Sequence, residues 1–294
     1  MDKIKYFSEN INVQSKTIIL RLDLNVPLNE KRIQDKTRIL LSLPFLKNLI
    51  VRKAKIIIIS HLGRPKGKEN KLSLKKIVDT VSRVLNQPVF FYQDCIGQGA
   101  QEAISKLDQG SIMLMENLRF YQEETLGDRV FAESLSKLGD IYVNDAFGTC
   151  HREHASTAVI AEYFENKKFA GKLLQKELKA INQIANNGKK PVLAILGGAK
   201  VSSKLSILYN LIRNVDKIII GGGMAYTFIK AKGGQIGNSL IENELITNAK
   251  EILSLARRLD KKIILPLDTK ASKHFDNNDQ ISTFNSKEIL SLPS

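Results

Sequence analysis

The 294-residue chain is short of several things, and each absence narrows what it can be. Cysteine is nearly missing: Cys95 and Cys150 stand alone, in no CxxC spacing. That removes a disulfide framework and a thiolate zinc site, and leaves both as small apolar residues, buried or half-buried. No apolar stretch approaches the ~18 residues that span a bilayer, and the start, MDKIKYFSEN, lacks the apolar segment of a secretory signal. A cytoplasmic location is expected, with no membrane partner. No run of five or six like charges occurs, although 45 Lys and Arg against 30 Asp and Glu give a net charge of +15. The longest basic cluster, Lys66 to Lys76, is broken by Glu69 and Asn70. The excess attracts anions, but without the concentrated arm or tail that wraps nucleic acid, so no nucleic acid is expected. A repeat of solenoid period and low-complexity segments are also absent, and 43% apolar with 26% charged content is an ordinary globular profile.

What is present is a regular alternation. Short β-branched runs recur: TIILRLDL (17–24), KIIIIS (55–60), PVFFY (88–92), SIMLM (111–115), IYVND (141–145), PVLAIL (191–196), KIIIGG (217–222) and KIILP (262–266). Each is followed by a longer segment with helical spacing, the pattern of βαβ units. The runs are continuously apolar, as parallel strands buried on both faces must be. Between them, Lys36 to Val51 puts Ile39, Leu40, Leu43, Leu46 and Ile50 on one helical face, and Ser73 to Leu85 does so with Leu74, Ile77, Val78, Val81 and Leu85. Pro44 should kink the first helix or end its first turn. Lys167 to Gly188 is lysine-rich and amphipathic and closes on Asn-Asn-Gly, a helix stop. It reads as a helix bridging two lobes. The fold class is therefore α/β, with a first domain over 1–170 holding about five strands, a linking helix over 171–190 and a second domain over 191–294.

In open parallel sheets ligands bind beyond the carboxyl ends of the strands, where loops diverge and helix starts offer free N–H groups. The strand ends share a theme. Asp23 and Asn25 follow the first; His61, Gly63 and Arg64 the second; Glu116, Asn117 and Arg119 the fourth; Asn144, Asp145, Gly148, His151, Arg152 and His154 the fifth; Arg38 opens the first helix. One such arginine alone reads as a solvated side chain or a partner for Asp23, Glu116 or Asp145. Several on one sheet edge suit a small, multiply anionic substrate, because guanidinium forks bind carboxylate and phosphate in pairs of hydrogen bonds. His151 and His154 have a metal-like spacing if helical, but no third ligand is evident, and hydrogen bonding to an anion or to the loop is the better reading.

The second half carries other chemistry. AILGGAKVSSKLSIL (194–208) reads as strand, Gly-Gly turn and helix beginning near Val201, with Lys200 and Lys204 about one turn apart. Glycines let backbone approach a ligand, and a helix start favours phosphate. IIIGGGMAYTF (218–228) repeats the arrangement without a lysine, which suits the adenine or ribose of a nucleotide. GxxxxGK[ST] and GxGxxG are both absent; the nearest miss, GRPKGK from Gly63 to Lys68, is one residue short. Glycine after a strand is also ordinary turn chemistry.

RLDLNVPL (21–28), DKTRI (35–39), SHLGRPKG (60–67), ENLRFYQEE (116–124), YVNDAFGTCHREHAST (142–157), LGGAKVSSKL (196–205) and GGGMAYTF (221–228), in this order, together resemble phosphoglycerate kinase. The resemblance implies two Rossmann-like lobes that close about a hinge helix and a reversible phosphoryl transfer between 1,3-bisphosphoglycerate and ADP, giving 3-phosphoglycerate and ATP with Mg2+ bound to the nucleotide. A monomer is expected. Carried over residue by residue, Asp23, Asn25, Arg38, His61, Leu62, Gly63, Arg64, Arg119 and Arg152 would hold the phosphoglycerate. Gly197, Gly198, Ala199, Lys200, Lys204, Gly221, Gly222 and Gly223 would hold the nucleotide, with Arg38 and Lys200 catalytic and no protein metal ligand. Ser203 stands where many relatives carry aspartate, and Cys150 where many carry alanine. Family members also continue well beyond the equivalent of SLPS (291–294), so the second lobe is expected to be incomplete. Turnover by this chain is then open: an active kinase, a fragment that binds 3-phosphoglycerate without turnover, and a basic interaction protein on a kinase scaffold are the alternatives.

Overall fold

The computed structural model describes residues 4–29, 32–187, 189–272, 281–286 and 288–289. The chain divides into two compact units, Met1–Lys179 and Ala180–Ser294.

The first unit is built on six parallel strands: β1 (Thr17–Arg21), β2 (Lys55–Ile59), β3 (Val89–Tyr92), β4 (Ile112–Met115), β5 (Ile141–Asn144) and β6 (Lys168–Ala170). Their order is β3-β4-β2-β1-β5-β6. The longer helices between them are α1 (Thr37–Val51), α2 (Lys75–Leu85), α3 (Gln98–Ser105) and α4 (Arg129–Ser136), with a short helix at Gln122–Leu126. Why the strands are continuously apolar is visible in β2, where Ile56 to Ile59 are all fully buried. Ile56 and Ile58 pack with Ile39, Leu46 and Leu49 of α1 and Ile77 and Val81 of α2. Ile57 and Ile59 point the other way, onto Ala100 and Ile104 of α3 and Phe131 and Leu135 of α4. Each of these four isoleucines thus meets a helix layer and contributes about 1.5–3 kcal/mol of burial.

Three expectations need correction. The segment starting at Lys167 is not helical from its beginning: Lys168–Ala170 pairs with Tyr142–Asn144 as a sixth strand, and the helix α5 (Lys172–Asn187) starts only after Gly171. Phe169 packs on the core, so these residues gain more as a sheet edge than as a helical turn. Gly188 of the expected stop lies outside the described residues. Pro44 does not end α1, which runs on to Val51. The buried face of α1 is Ile39, Ser42, Phe45, Leu46 and Leu49, while Leu40 is exposed. Leu43 and Ile50 of the expected face are half-buried on the same core, so only Leu40 departs from it, while Phe45 and Leu49 join, with the Phe45 ring 5.1 Å from that of Phe7.

The second unit holds three parallel strands, β7 (Leu193–Gly197), β8 (Lys217–Gly221) and β9 (Lys262–Ile264), in the order β9-β8-β7. Helices α6 (Leu205–Asn214), α7 (Met224–Ala231) and α8 (Ile246–Arg258) pack with this sheet, and two short ladders, Gln235–Ile236 with Glu288–Ile289 and Asp268–Ala271 with Ser282–Asn285, lie in the same unit. Leu196, Ile218 and Ile220 pack on Leu208, Ile212, Phe228 and Ile252. The other face of β7 carries Leu193 and Ile195, both exposed. No helix among the described residues is long and apolar enough to cross a membrane.

Candidate functional site

The carboxyl ends of β1, β2, β4 and β5 converge because buried polar side chains stitch one loop to the next. Ser60, just past β2, donates its hydroxyl to the Leu22 carbonyl (2.8 Å) and accepts the Leu24 amide (2.9 Å). Asn117, just past β4, is fully buried and works as a bracket. Its Oδ1 accepts from the amides of Leu62 and Arg119, each at 3.1 Å, and its Nδ2 donates to the carbonyls of Leu62 (2.8 Å) and Leu72 (2.9 Å). Glu116 beside it accepts from the Ser73 hydroxyl (2.7 Å) and the Leu74 amide (2.9 Å). These two residues therefore shape the site from beneath instead of facing it.

Asp23, Asn25, Arg38, His61, Gly63, Arg64, Arg119 and Arg152 line one cavity of about 310 Å3, together with Gly148 and Thr149. Of the nine residues implied for phosphoglycerate, only Leu62 is elsewhere: its side chain is in the core and its backbone is held by Asn117. The cavity is positive but ordered. Arg38, in the first turn of α1, is tied to Asp23 at 2.5 Å. Asn25 accepts the Gly63 amide at 2.8 Å, and Arg119 donates to the Gly63 carbonyl at 2.7 Å. Gly63 sits at φ +64°, a left-handed conformation that glycine adopts without strain. A second cavity of about 490 Å3, lined by Lys66, Tyr121, Gln122 and Thr125, shares Arg64, Arg119 and Arg152 with the first.

His61 is 3% exposed. Burial, then the charges of Arg21, Arg119, Arg38 and His154, pull its pKa down to about 2, so the imidazole is neutral. Arg21 is fully buried beside it, with Nη2 3.2 Å from His61 Nδ1 and Nε 3.0 Å from Ser156 Oγ. Sequence reading passed over Arg21 as a strand residue; the signal available was a charge inside TIILRLDL, since a guanidinium in an otherwise buried run needs partners. Ser156 and the fully buried Glu124 were likewise not distinguishable from ordinary loop residues. Burial raises the pKa of Glu124, but His154, Arg21 and the hydroxyl and amide of Ser156 bring it below the usual value. His151 and His154 lie in a loop and not on a helix; His151 is exposed, and buried His154 has Nδ1 3.7 Å from Glu124 Oε1. Among the described residues no group of three or more His, Cys, Asp or Glu could hold a metal.

In the second unit the two glycine turns lie side by side, since Gly197 at the end of β7 pairs with Gly221 at the end of β8. Gly222, at φ +67°, has no room for a side chain: a Cβ there would stand 2.9 Å from the Gly198 carbonyl oxygen. The Met224 amide donates to that same carbonyl at 2.9 Å. The helix after Lys200 begins later than expected. Ser202–Lys204 is a 3-10 turn, and the α-helix α6 starts at Leu205. Glu242 caps this turn: it accepts the amides of Val201 and Ser202 (the latter at 3.0 Å) and the Ser202 hydroxyl at 2.6 Å. Glu242 thereby satisfies donors that a helix start leaves free. Lys200 is exposed and Lys204 half-buried.

The family model for phosphoglycerate kinase matches residues 8–292. A phosphoglycerate kinase of Aquifex aeolicus is 45% identical over 260 residues, covering 88% of this chain and 65% of its own length. That of Campylobacter curvus is 44% identical over 294 residues, 99% of this chain and 73% of its own. The solved structure of phosphoglycerate kinase from Coxiella burnetii has a TM-score of 0.79 at 35% identity, covering 97% of this chain and 72% of that one. The chain thus spans about two thirds to three quarters of the length of these relatives. With the family model matched over nearly its whole length, this chain belongs to the phosphoglycerate kinase family.

Proposed function

We propose that the chain serves reversible phosphoryl transfer between 1,3-bisphosphoglycerate and ADP, giving 3-phosphoglycerate and ATP, the glycolytic kinase step. The observation that carries this reading is the cavity of the first unit, where Arg38, Arg64, Arg119 and Arg152 face one volume with the hydrogen-bonding groups of Asp23, Asn25 and His61. 3-Phosphoglycerate has a phosphate at one end, a carboxylate at the other and a hydroxyl between. Four guanidinium forks can hold both anions, and Asp23 can accept from the hydroxyl. In this reading residues 1–170 are the phosphoglycerate-binding lobe, 171–190 the linking helix and 191–294 the nucleotide-binding lobe. There the turns at Gly197 to Lys200 and Gly221 to Gly223 take the nucleotide, with Lys204 on its phosphates.

Transfer between an acyl phosphate and ADP asks mainly for alignment and charge neutralisation. The attacking atom is already a phosphate or carboxylate oxygen, so no general base is needed. Arg38 and Lys200 stabilise the equatorial oxygens of the moving phosphoryl group. Magnesium, carried on the nucleotide, would supply further charge neutralisation, and the cations of the chain do the rest. Replacing Arg38 with alanine is expected to leave the fold intact and lower turnover by about 100-fold or more. A coupled assay on purified protein checks this, and unchanged turnover would contradict the role given to Arg38.

One observation favours a second reading. The relatives are longer than the part this chain covers. If turnover needs what lies in their remaining length, the chain binds 3-phosphoglycerate, and Arg38→Ala weakens that binding, without measurable ATP formation.

A further inference from the structure

Arg21, Ser156 and Glu124 touch none of the cavity volume, yet all three are fully buried and joined to His61 in one line. Glu124 Oε1 accepts the Ser156 hydroxyl at 2.6 Å, and Oε2 accepts the Ser156 amide at 2.9 Å. Ser156 Oγ accepts from Arg21 Nε at 3.0 Å. Arg21 spends Nη1 on the Leu22 carbonyl and presents Nη2 to His61 Nδ1 at 3.2 Å. A guanidinium can only donate. Nδ1 must therefore be the accepting, unprotonated nitrogen, and the single ring proton of a neutral imidazole falls on Nε2, on a residue that lines the cavity.

We propose that Arg21, Ser156 and Glu124 are positioning residues that fix His61 as a neutral Nε2–H donor to the acid bound in the cavity. This rests on the reading of the cavity as the 3-phosphoglycerate site. The directions of the bonds carry it. Glu124 supplies a buried negative charge that balances Arg21 through one serine, so Arg21 can stay charged without approaching the substrate. The charged and titratable groups facing His61 are Arg21 from β1, Arg38 from α1, Arg119 beyond β4 and His154 from the loop beyond β5. Three of them are guanidiniums; the acid that lines the same cavity, Asp23, is paired with Arg38, while Nδ1 faces Arg21, so a proton on Nδ1 has no acceptor and several repelling neighbours. Burial acts in the same direction. The consequence is specific. A histidine at this position does not act as a titrating cation for the substrate, and affinity for the acid between about pH 5.5 and 8 follows the ionisation of the ligand's phosphate, not that of His61.

Nitrogen-detected NMR of the histidine rings tests this on the intact chain, whose four histidines can be assigned with a His61→Gln variant. The expected spectrum has His61 as the Nε2–H tautomer, unchanged from pH 8 to pH 5, and its Nε2 signal shifts when 3-phosphoglycerate is added. Ser156→Ala removes the link between Arg21 and Glu124. It is expected to give a mixture of tautomers and about a tenfold weaker calorimetric affinity, the scale of one lost donor. An Nδ1–H tautomer, or titration near pH 6.5, in the wild-type chain overturns the proposal even if Ser156→Ala does not fold. If instead the tautomer is as expected but 3-phosphoglycerate neither binds nor shifts any ring signal, the relay stands as structure, while its role toward the acid and the reading of the cavity both fall.

Discussion

At the scale of single residues, the cavity depends on side chains that are held before any ligand arrives. Arg38 is half-exposed, and a free arginine there would sample many rotamers; its pairing with Asp23 narrows them. The room for Asp23 is set in turn by Gly148, where an added Cβ would stand 2.7 Å from Asp23 Oδ2. Gly148→Ala should therefore leave the thermal midpoint little changed but weaken 3-phosphoglycerate binding by about tenfold, on the scale of one displaced charge-assisted contact. Calorimetry on the two proteins checks this, and equal affinities would show that Asp23 does not govern Arg38. Gly63→Ala should act on folding instead. It combines φ +64° with a Cβ 2.8 Å from Leu72 Cδ2, and a loss of about 1–2 kcal/mol is expected in urea unfolding.

At the scale of elements, Asp145 joins the end of β5 to the start of α5. It is 1% exposed; Oδ1 accepts the Leu174 amide at 2.8 Å, while Oδ2 is buried without a hydrogen-bond partner. Burial pushes its pKa up to about 6, against the pull of the Leu174 and Leu173 amides. The folded value lies above the ordinary 3.8, so between these values the folded chain holds a proton that the unfolded chain has lost. This contribution to stability is fully present below about pH 4 and is lost as pH rises through about 6. Asp145→Asn should accordingly gain about 1 kcal/mol on the wild type as pH is raised from about 5 to about 7. Urea unfolding of both proteins at the two pH values measures it, and a difference that does not change with pH contradicts it.

Also at this scale, the strands were legible from their composition because parallel strands buried on both faces must be apolar throughout, as Ile56 to Ile59 are. The convergence of Asp23, His61, Arg64, Arg119 and Arg152 was legible from their places just past strand ends. What could not be read was set by distant contacts. Lys168–Ala170 became a strand only because the edge of β5 was free to pair. The Ser202–Lys204 turn ahead of α6 is capped by Glu242, some 40 positions away, which takes the Val201 and Ser202 amides. Leu62 stands between two cavity residues yet turns inward, held by Asn117.

At the scale of the whole molecule, the net charge of +15 draws anions of any kind, and the site must turn that general pull into recognition of one acid. Any association with nucleic acid at low salt would be nonspecific and should fade steeply as salt is raised. The central claim is that a specific anion site lies in the first unit, built on Arg38, His61, Arg64, Arg119 and Arg152. Calorimetric titration of the chain with 3-phosphoglycerate at near-physiological salt, beside an Arg119→Ala variant, tests it most directly. The account predicts saturable binding of one molecule per chain, weakened about tenfold or more in the variant by loss of a charged hydrogen bond. Absence of binding in the wild-type chain, or equal affinity in the two proteins, would contradict it.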